Sequence, residues 1–214
     1  MAKFLKGING AYSGKVGNVV GSNWRNIDYV RSLPKKSNKP ASEKQLMQRM
    51  RFALGVAFLS PIKDILNLGY SDHQQARASG YNLALRSLLQ QGITGVYPDY
   101  EVDFENVQIS KGSMSPLLGL TVDDSQSLSL EVNWHNITNR FNSFMDDTVV
   151  VLLYDVDDAM FSIYEGAERA DEAYSISFPD IYAGKSIVGW AFVGHRDGIK
   201  TSSSQYLGAF TIQP

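Results

Sequence analysis

The chain changes its hydrophobic rhythm twice. Residues 1–40 keep no period; Gly7, Gly10, Gly14, Gly17 and Gly21 punctuate small and polar residues. Spaced three and four apart, they would share one side of a helix, but each glycine costs a helix interior about 1 kcal/mol. Turns and short extended pieces are therefore expected. Residues 16–20 and 23–32 read as the arms of a hairpin around Gly21-Ser22. Alternation along the second arm puts Trp24, Asn26, Asp28 and Val30 on one face and Arg25, Ile27, Tyr29 and Arg31 on the other. Residues 33–40 have the proline and lysine content of a linker.

From 41 to 94 the period becomes helical. Ser42 and Gln45 have capping-box spacing, and Leu46, Met50, Ala53, Leu54, Ala57 and Phe58 follow as an apolar stripe. Ser60-Pro61 stops that helix and starts a short one, with Ser60 as N-cap and Gly69 as C-cap. A second capping-box spacing, Ser71 to Gln74, opens a third segment through Leu85 and Leu88 to Gly92. Met47, Met50 and Phe58 read as core.

Residues 95–214 alternate with period two. Strands are expected at 101–110, 127–134, 147–155, 160–164, 173–178, 186–194 and 205–212, separated by turn signals such as Arg196-Asp-Gly. Leu128, Leu130, Val132 and Trp134 share one face. The run Asp147-Thr-Val-Val-Val-Leu-Leu-Tyr154 reads as a buried central strand. The expected class is α+β: a glycine-rich β-ribbon with a small helical unit over 1–96, then an antiparallel seven-stranded β-sandwich over 97–214.

Composition narrows the function more than the fold. At 214 residues, 43% hydrophobic and 20% charged, the chain is neither fibrous nor disordered. Zero cysteines exclude a disulfide framework, a thiol nucleophile and a cysteine zinc site. No uninterrupted apolar run approaches the length of about 18 residues that spans a bilayer. The first ten residues lack the apolar core of a signal peptide, so a cytoplasmic protein with no membrane partner is expected.

Charge is segregated. Residues 1–52 hold eleven Lys and Arg against only Asp28 and Glu43, a net of +9; the other 162 residues hold nine against twenty, a net of −11. A basic end on an acidic body attracts polyanions, or neighbouring copies of itself.

Residues that could carry chemistry do not assemble into a site. Ser60-Pro-Ile-Lys63 has a Ser-x-x-Lys spacing, but Ser71-Asp-His73 follows too soon to build the intervening helical domain of penicillin-binding enzymes. Asp155, Asp157 and Asp158 begin like a calcium loop, and Ala159, Met160 and Gly166 break it. His73, His135 and His195 lack a partner at ligand spacing. The glycines of 7–21 are not followed by the Lys-Ser/Thr of a phosphate loop. Asn136-Ile-Thr138 is a glycosylation sequon that a bacterial cytoplasmic protein would not use. Catalytic residues, metal ligands and cofactors are therefore expected to be none. What remains is a set of aromatic and basic residues on the ribbon: Trp24, Arg25, Tyr29, Arg31, Lys35 and Lys36. Such residues serve as protein hot spots, as a stacking, phosphate-neutralising surface, or as a cover in which Trp24 and Tyr29 lie over the helical unit with the cationic stems alongside.

Two resemblances accompany this reading. Leu128-Ser-Leu-Glu-Val-Asn-Trp134, Ser186-Ile-Val-Gly-Trp-Ala-Phe-Val193 and Tyr206-Leu-Gly208 resemble a fibronectin type III or immunoglobulin-like sandwich, which implies an architecture and no activity. Ser13-Gly-Lys-Val-Gly-Asn-Val-Val-Gly21, Trp24-Arg25, Tyr29-Val-Arg-Ser-Leu-Pro-Lys36 and Tyr97-Pro-Asp99 make the chain similar to an uncharacterised family of Bacteroidetes proteins, a domain of unknown function. Residues 40–52 resemble a pattern in small phage-associated proteins. The expectation is a non-enzymatic interaction or structural protein that self-associates through its basic ribbon, phage or particle association included. A nucleic-acid-binding module using the same residues is the alternative.

Overall fold

The computed structural model describes residues 2–3, 12–24, 27–35, 39–73 and 78–214. They form a mixed α+β protein with mostly antiparallel sheets. It divides into two compact units, Met1–Ser42 and Glu43–Pro214.

The first unit is a four-stranded antiparallel sheet of β1 (Ala2–Lys3), β2 (Gly14–Val16), β3 (Val19–Trp24) and β4 (Ile27–Ser32), in the order β1-β4-β3-β2. Val16 pairs with Val19 across a two-residue turn, Gly17-Asn18. Gly17 has φ +57°, the backbone region such turns need and glycine enters without strain. The expected hairpin around Gly21-Ser22 is therefore misplaced: both residues lie inside β3, opposite Val30 and Tyr29. The expected single arm 23–32 is in fact two strands, with Trp24 opposite Ile27.

The second unit begins with α1 (Glu43–Leu59), directly after Ser42. A 3-10 turn at Ser60–Ile62 leads into α2 (Lys63–Gly69). Ser60 caps nothing: the turn carries Pro61 and has no side-chain cap. Likewise Ser79, not Ser71, caps α3 (Gly80–Gln91), its Oγ accepting from the Asn82 N–H at 3.3 Å. The stretch Glu43–Gly69 is long and apolar enough by composition to cross a membrane, but it passes through the 3-10 turn at Ser60–Ile62 and buries Phe58, Leu59, Ile62 and Leu66 within the protein.

The strands that follow are β5 (Ile93–Val96), β6 (Asp99–Val102), β7 (Leu118–Asp123), β8 (Ser129–His135), β9 (Thr148–Asp155), β10 (Met160–Glu168), β11 (Ala173–Ser177), β12 (Ser186–Gly194) and β13 (Gln205–Thr211). The strand expected over 101–110 does not form. A hairpin of β5 and β6 turns at Tyr97-Pro98, and a 3-10 turn at Phe104–Asn106 follows. The strand β7 had no expected counterpart, because Leu118-Gly-Leu-Thr-Val-Asp123 sits among turn formers and is largely exposed.

Two antiparallel sheets, β10-β9-β12-β13 and β11-β8-β7, share a core. Leu130, Val132, Trp134 and Ile176 from one sheet meet Val149, Val151, Leu153, Ala191 and Val193 from the other. The alternate residues of β9 and β12 face away from that core. Val150, Leu152, Val188, Trp190 and Phe192 pack instead with Phe58, Leu59, Ile62, Leu66 and Leu88 of the helices. The central strands β9 and β12 are thus buried on both faces, as unbroken apolar runs require. The helices accordingly pack within the second unit. Burying large apolar side chains against the helices stabilises by about 1.5–3 kcal/mol each.

Polar stitching completes the joint between helices and sheets. Thr201 Oγ1 donates to the Gly69 carbonyl at 2.8 Å, and Ser110 Oγ to the Ser202 carbonyl at 2.8 Å. The Ile109 N–H donates to Ser204 Oγ at 3.0 Å. Thr201, Ser202 and Ser110 are buried, so each pairing offsets the cost of desolvating a polar group.

The apolar stripe expected along α1 is only half used. Gly55, Phe58 and Leu59 are buried, whereas Leu46, Met50 and Phe52 stay exposed. The packing partners of the helix lie against its second half, where Gly55 meets Leu85 and Leu88.

Candidate functional site

The ribbon register decides which of the expected residues share a surface. Residues directly opposite across antiparallel strands point to the same face. Lys15 opposes Val20, Val20 opposes Arg31, Ser22 opposes Tyr29 and Trp24 opposes Ile27. One face therefore carries Lys15, Val20, Ser22, Trp24, Ile27, Tyr29 and Arg31. This corrects the expected split, which put Trp24 on the face opposite Tyr29 and Arg31; the reversal between β3 and β4 brings it across. Trp24, Lys15 and Arg31 are exposed, and Tyr29 is half-buried. The other face carries Asn23 and Asp28, whose side chains bond across the strands at 2.8 Å. Lys35 is exposed just past β4. Arg25 and Lys36 lie outside the described residues.

Charge follows the same division. Residues 1–42 hold eight basic and one acidic residue, a net of +7, and residues 43–214 hold twelve and twenty-one, a net of −9. Part of the basic run counted to residue 52 lies on α1, in the acidic unit.

The acidic turn after β9 is tied together internally. Lys185 Nζ lies 2.9 Å from Asp155 Oδ2 and also bonds Asp158. Asp155 Oδ1 accepts from the backbone of Asp157 and Asp158, and Asp157 accepts from the Ser186 N–H. Burial pushes the Asp155 carboxyl up, but the Lys185 ammonium and the two backbone donors outweigh it and hold it below the ordinary range. These oxygens are engaged in closing a turn. Among the described residues no group of three or more His, Asp and Glu is placed to hold a metal ion.

The histidines remain apart. His195 Nδ1 meets Asp197 Oδ1 at 2.8 Å in a surface loop, and its ring meets Phe144 edge-on. Asp197 is held below its usual range by the Ile199 N–H and by His195.

Two features escape the sequence reading. The first is an apolar groove of about 470 Å³ lined by Leu54, Ala57, Phe58, Tyr100, Phe104 and Phe161, among others. Its floor is an aromatic cluster: Phe58 lies 5.1 Å from both Tyr154 and Phe161. Its parts come from α1, β6, β9 and β10, so no local pattern reveals it. The second is the loop 136–147, where Ile137, Phe141 and Met145 are exposed. Its sequence signal was apolar residues set among the turn formers Asn136, Asn139, Asn142 and Ser143.

Comparison with known proteins gives the following. No curated protein matches. Fibronectin type III domains are among the similar solved structures. The fn3 domain of human collagen alpha-1(XX) chain has 16% identity and a TM-score of 0.36, covering 49% of this chain and 93% of that one. The fibronectin type-III domain of human fibronectin type III domain containing protein 3 has 15% identity and a TM-score of 0.34, covering 49% and 89%. Residues 11–208 match the model of a family described only as a family of unknown function, DUF6266. That match runs through both units, and the chain belongs to this family of unknown function.

Proposed function

We propose that this protein is a non-enzymatic interaction protein of bacterial, Bacteroidetes origin that self-associates in the cytoplasm. In this reading its second unit is a seven-stranded sandwich of the fibronectin type III kind. The basic ribbon of one copy meets the acidic second unit of a neighbour. The observation that carries the reading is the strand register, which sets Lys15, Trp24, Tyr29 and Arg31 on one ribbon face. Tryptophan, tyrosine and arginine supply most interface hot spots. Charges of opposite sign on the two units steer such copies together.

The same face supports a second reading. Aromatic rings beside cations stack on bases and neutralise phosphates of a single strand. Light scattering behind a sizing column, at micromolar loading in low and high salt with the 260/280 nm ratio recorded, separates the two. A protein-only oligomer that salt dissociates supports self-association. A high-ratio peak that salt converts to a clean monomer supports nucleic acid. A protein-like monomer in both buffers overturns self-association through the ribbon.

A further inference from the structure

The second unit carries an apolar knob and an apolar socket at opposite ends of one strand. The knob is the loop 136–147, which enters β9; the socket is the groove beside the turn that leaves it. Eight residues of β9 separate them, about 26 Å at 3.3 Å per residue.

The knob is built to present its apolar residues. Phe141 is 86% exposed, with Met145 at 60% and Ile137 at 51%. The adjoining loop 195–200 adds Ile199 at 62%. The two loops are joined where Arg196 bonds Asp146 at 2.6 Å and Phe144 meets His195. The tip is held in shape from within. Asn139 Oδ1 accepts from the N–H groups of Phe141 and Asn142 at 2.8 and 2.9 Å. Asn142 is tied to Ser115 at 3.0 Å and to the Ser113 carbonyl at 3.2 Å. A large aromatic held out by a pre-ordered loop loses little entropy on docking.

The socket is apolar and open, with Leu54, Ala57 and Val156 at its rim and the Phe58–Tyr154–Phe161 cluster beneath. Rim charges are opposite in sign. Arg140 stands next to Phe141 and Lys200 next to Ile199; Glu101 lines the socket, with Asp99 two residues earlier on the same face of β6. The nearby Arg51 is occupied, donating to the Leu89 carbonyl at 2.9 Å and lying over the Tyr100 ring.

We propose that Phe141 and its neighbours dock into this groove on a second copy of the chain, giving a head-to-tail contact along the β9 direction. A knob and a socket on different surfaces make a heterologous contact, which extends into rows instead of closing as a two-fold dimer. The contact uses no ribbon residue and goes beyond the self-association proposed above. It is small, so the association is weak. It is also apolar at its centre, so it persists in salt that screens the ribbon.

Sedimentation velocity in high salt, from micromolar to near-millimolar protein, tests it. The expected result is a mean mass that climbs with concentration without levelling at a dimer. Phe141→Asp removes the knob and Ala57→Trp fills the socket; each alone is expected to stay monomeric. Mixed in equal amounts they form heterodimers and stop there, because the remaining knob of one meets the remaining socket of the other. Circular dichroism and thermal midpoints confirm folding; if Ala57→Trp does not fold, Val156→Glu at the exposed rim replaces it. A wild type that stays monomeric throughout, a Phe141→Asp variant that associates like wild type, or a mixture that stays monomeric overturns the proposal. The ribbon variant Arg31→Glu, expected to behave as wild type here, keeps failure of this contact distinct from failure of the ribbon reading.

Discussion

Arg169 and Asp147 form an ion pair sealed from solvent at the foot of the 136–147 loop. Arg169 Nε lies 3.3 Å from Asp147 Oδ2, and the two side chains are 1% and 0% exposed. The guanidinium also donates to the Ser115 and Pro116 carbonyls at 2.7 and 3.3 Å. Asp147 Oδ2 accepts from the Phe144 N–H at 2.7 Å. The Trp134 indole N–H reaches the Arg169 carbonyl at 2.9 Å. One buried charge thus gathers three separated chain segments. Replacing Arg169 with methionine leaves a buried carboxylate without its cation, which costs about 3–5 kcal/mol. Urea denaturation should show that loss, and the double change Arg169→Met with Asp147→Leu should recover much of it. A double variant no more stable than the single one would count against a charge penalty.

Trp190 joins the helical layer to the sheet. Its indole N–H donates to the Phe104 carbonyl at 3.1 Å, and its ring lies 6.4 Å from Phe58. Trp190→Ala is expected to cost about 3–5 kcal/mol. Hydrogen exchange in the variant should rise in α1 and α3 as well as in β12. Unchanged protection of the helices would mean that they fold independently of the sheet.

Tyr70 titrates late. Burial pushes its phenol up to about 12, a hydrogen bond with Ser87 only partly opposing it. Its hydroxyl donates to the Gln108 carbonyl at 3.0 Å. The folded state holds the neutral phenol, so its contribution is complete below pH about 10 and is lost as the pH rises toward 12. Ultraviolet titration should show a late-ionising tyrosine that Tyr70→Phe removes. The stability gap between wild type and Tyr70→Phe should shift over that same interval.

The turn closed by Lys185 makes an acid-side prediction. Asp155 is held below the ordinary carboxylate range, so its stabilising contribution is present above that range. It is lost as the pH falls through the depressed folded value. Lys185→Met should therefore destabilise at neutral pH and converge on wild type in strong acid. Parallel denaturation curves at both pH values check this; an undiminished gap in acid would exclude the Asp155 pairing as its source.

Gly112 packs against backbone. A Cβ there would overlap the Thr201 carbonyl, in the stretch that binds the helices to β12 and β13. Gly112→Ala should lower stability by more than the roughly 0.5 kcal/mol typical of a surface change. A thermal midpoint equal to wild type would show that the 110–114 segment can move aside.

The sequence by itself determined the local elements wherever one face of a segment had one fate. Strand 186–194 was readable to the residue because every position from Ile187 to Gly194 is buried, and β9 was readable to one residue of the expected 147–155 because Val149 to Leu153 are buried on both faces. It also determined the charge segregation, which is independent of conformation. Only the tertiary structure decided what covers the second face of β9 and β12, because an apolar run states that it is buried and not by what. It decided that Leu46 and Met50 remain exposed, since helical period marks a stripe but not the length of its partner. The ribbon face was decided by a reversal of the chain between Trp24 and Ile27, which exchanges inside for outside for every residue beyond it. The groove and the pairing of Arg169 with Asp147 lay beyond sequence reading for one reason. Asp147 and Arg169 are 22 residues apart, and the groove joins segments as distant as Ala57 and Phe161, so only the folded structure brings these parts together.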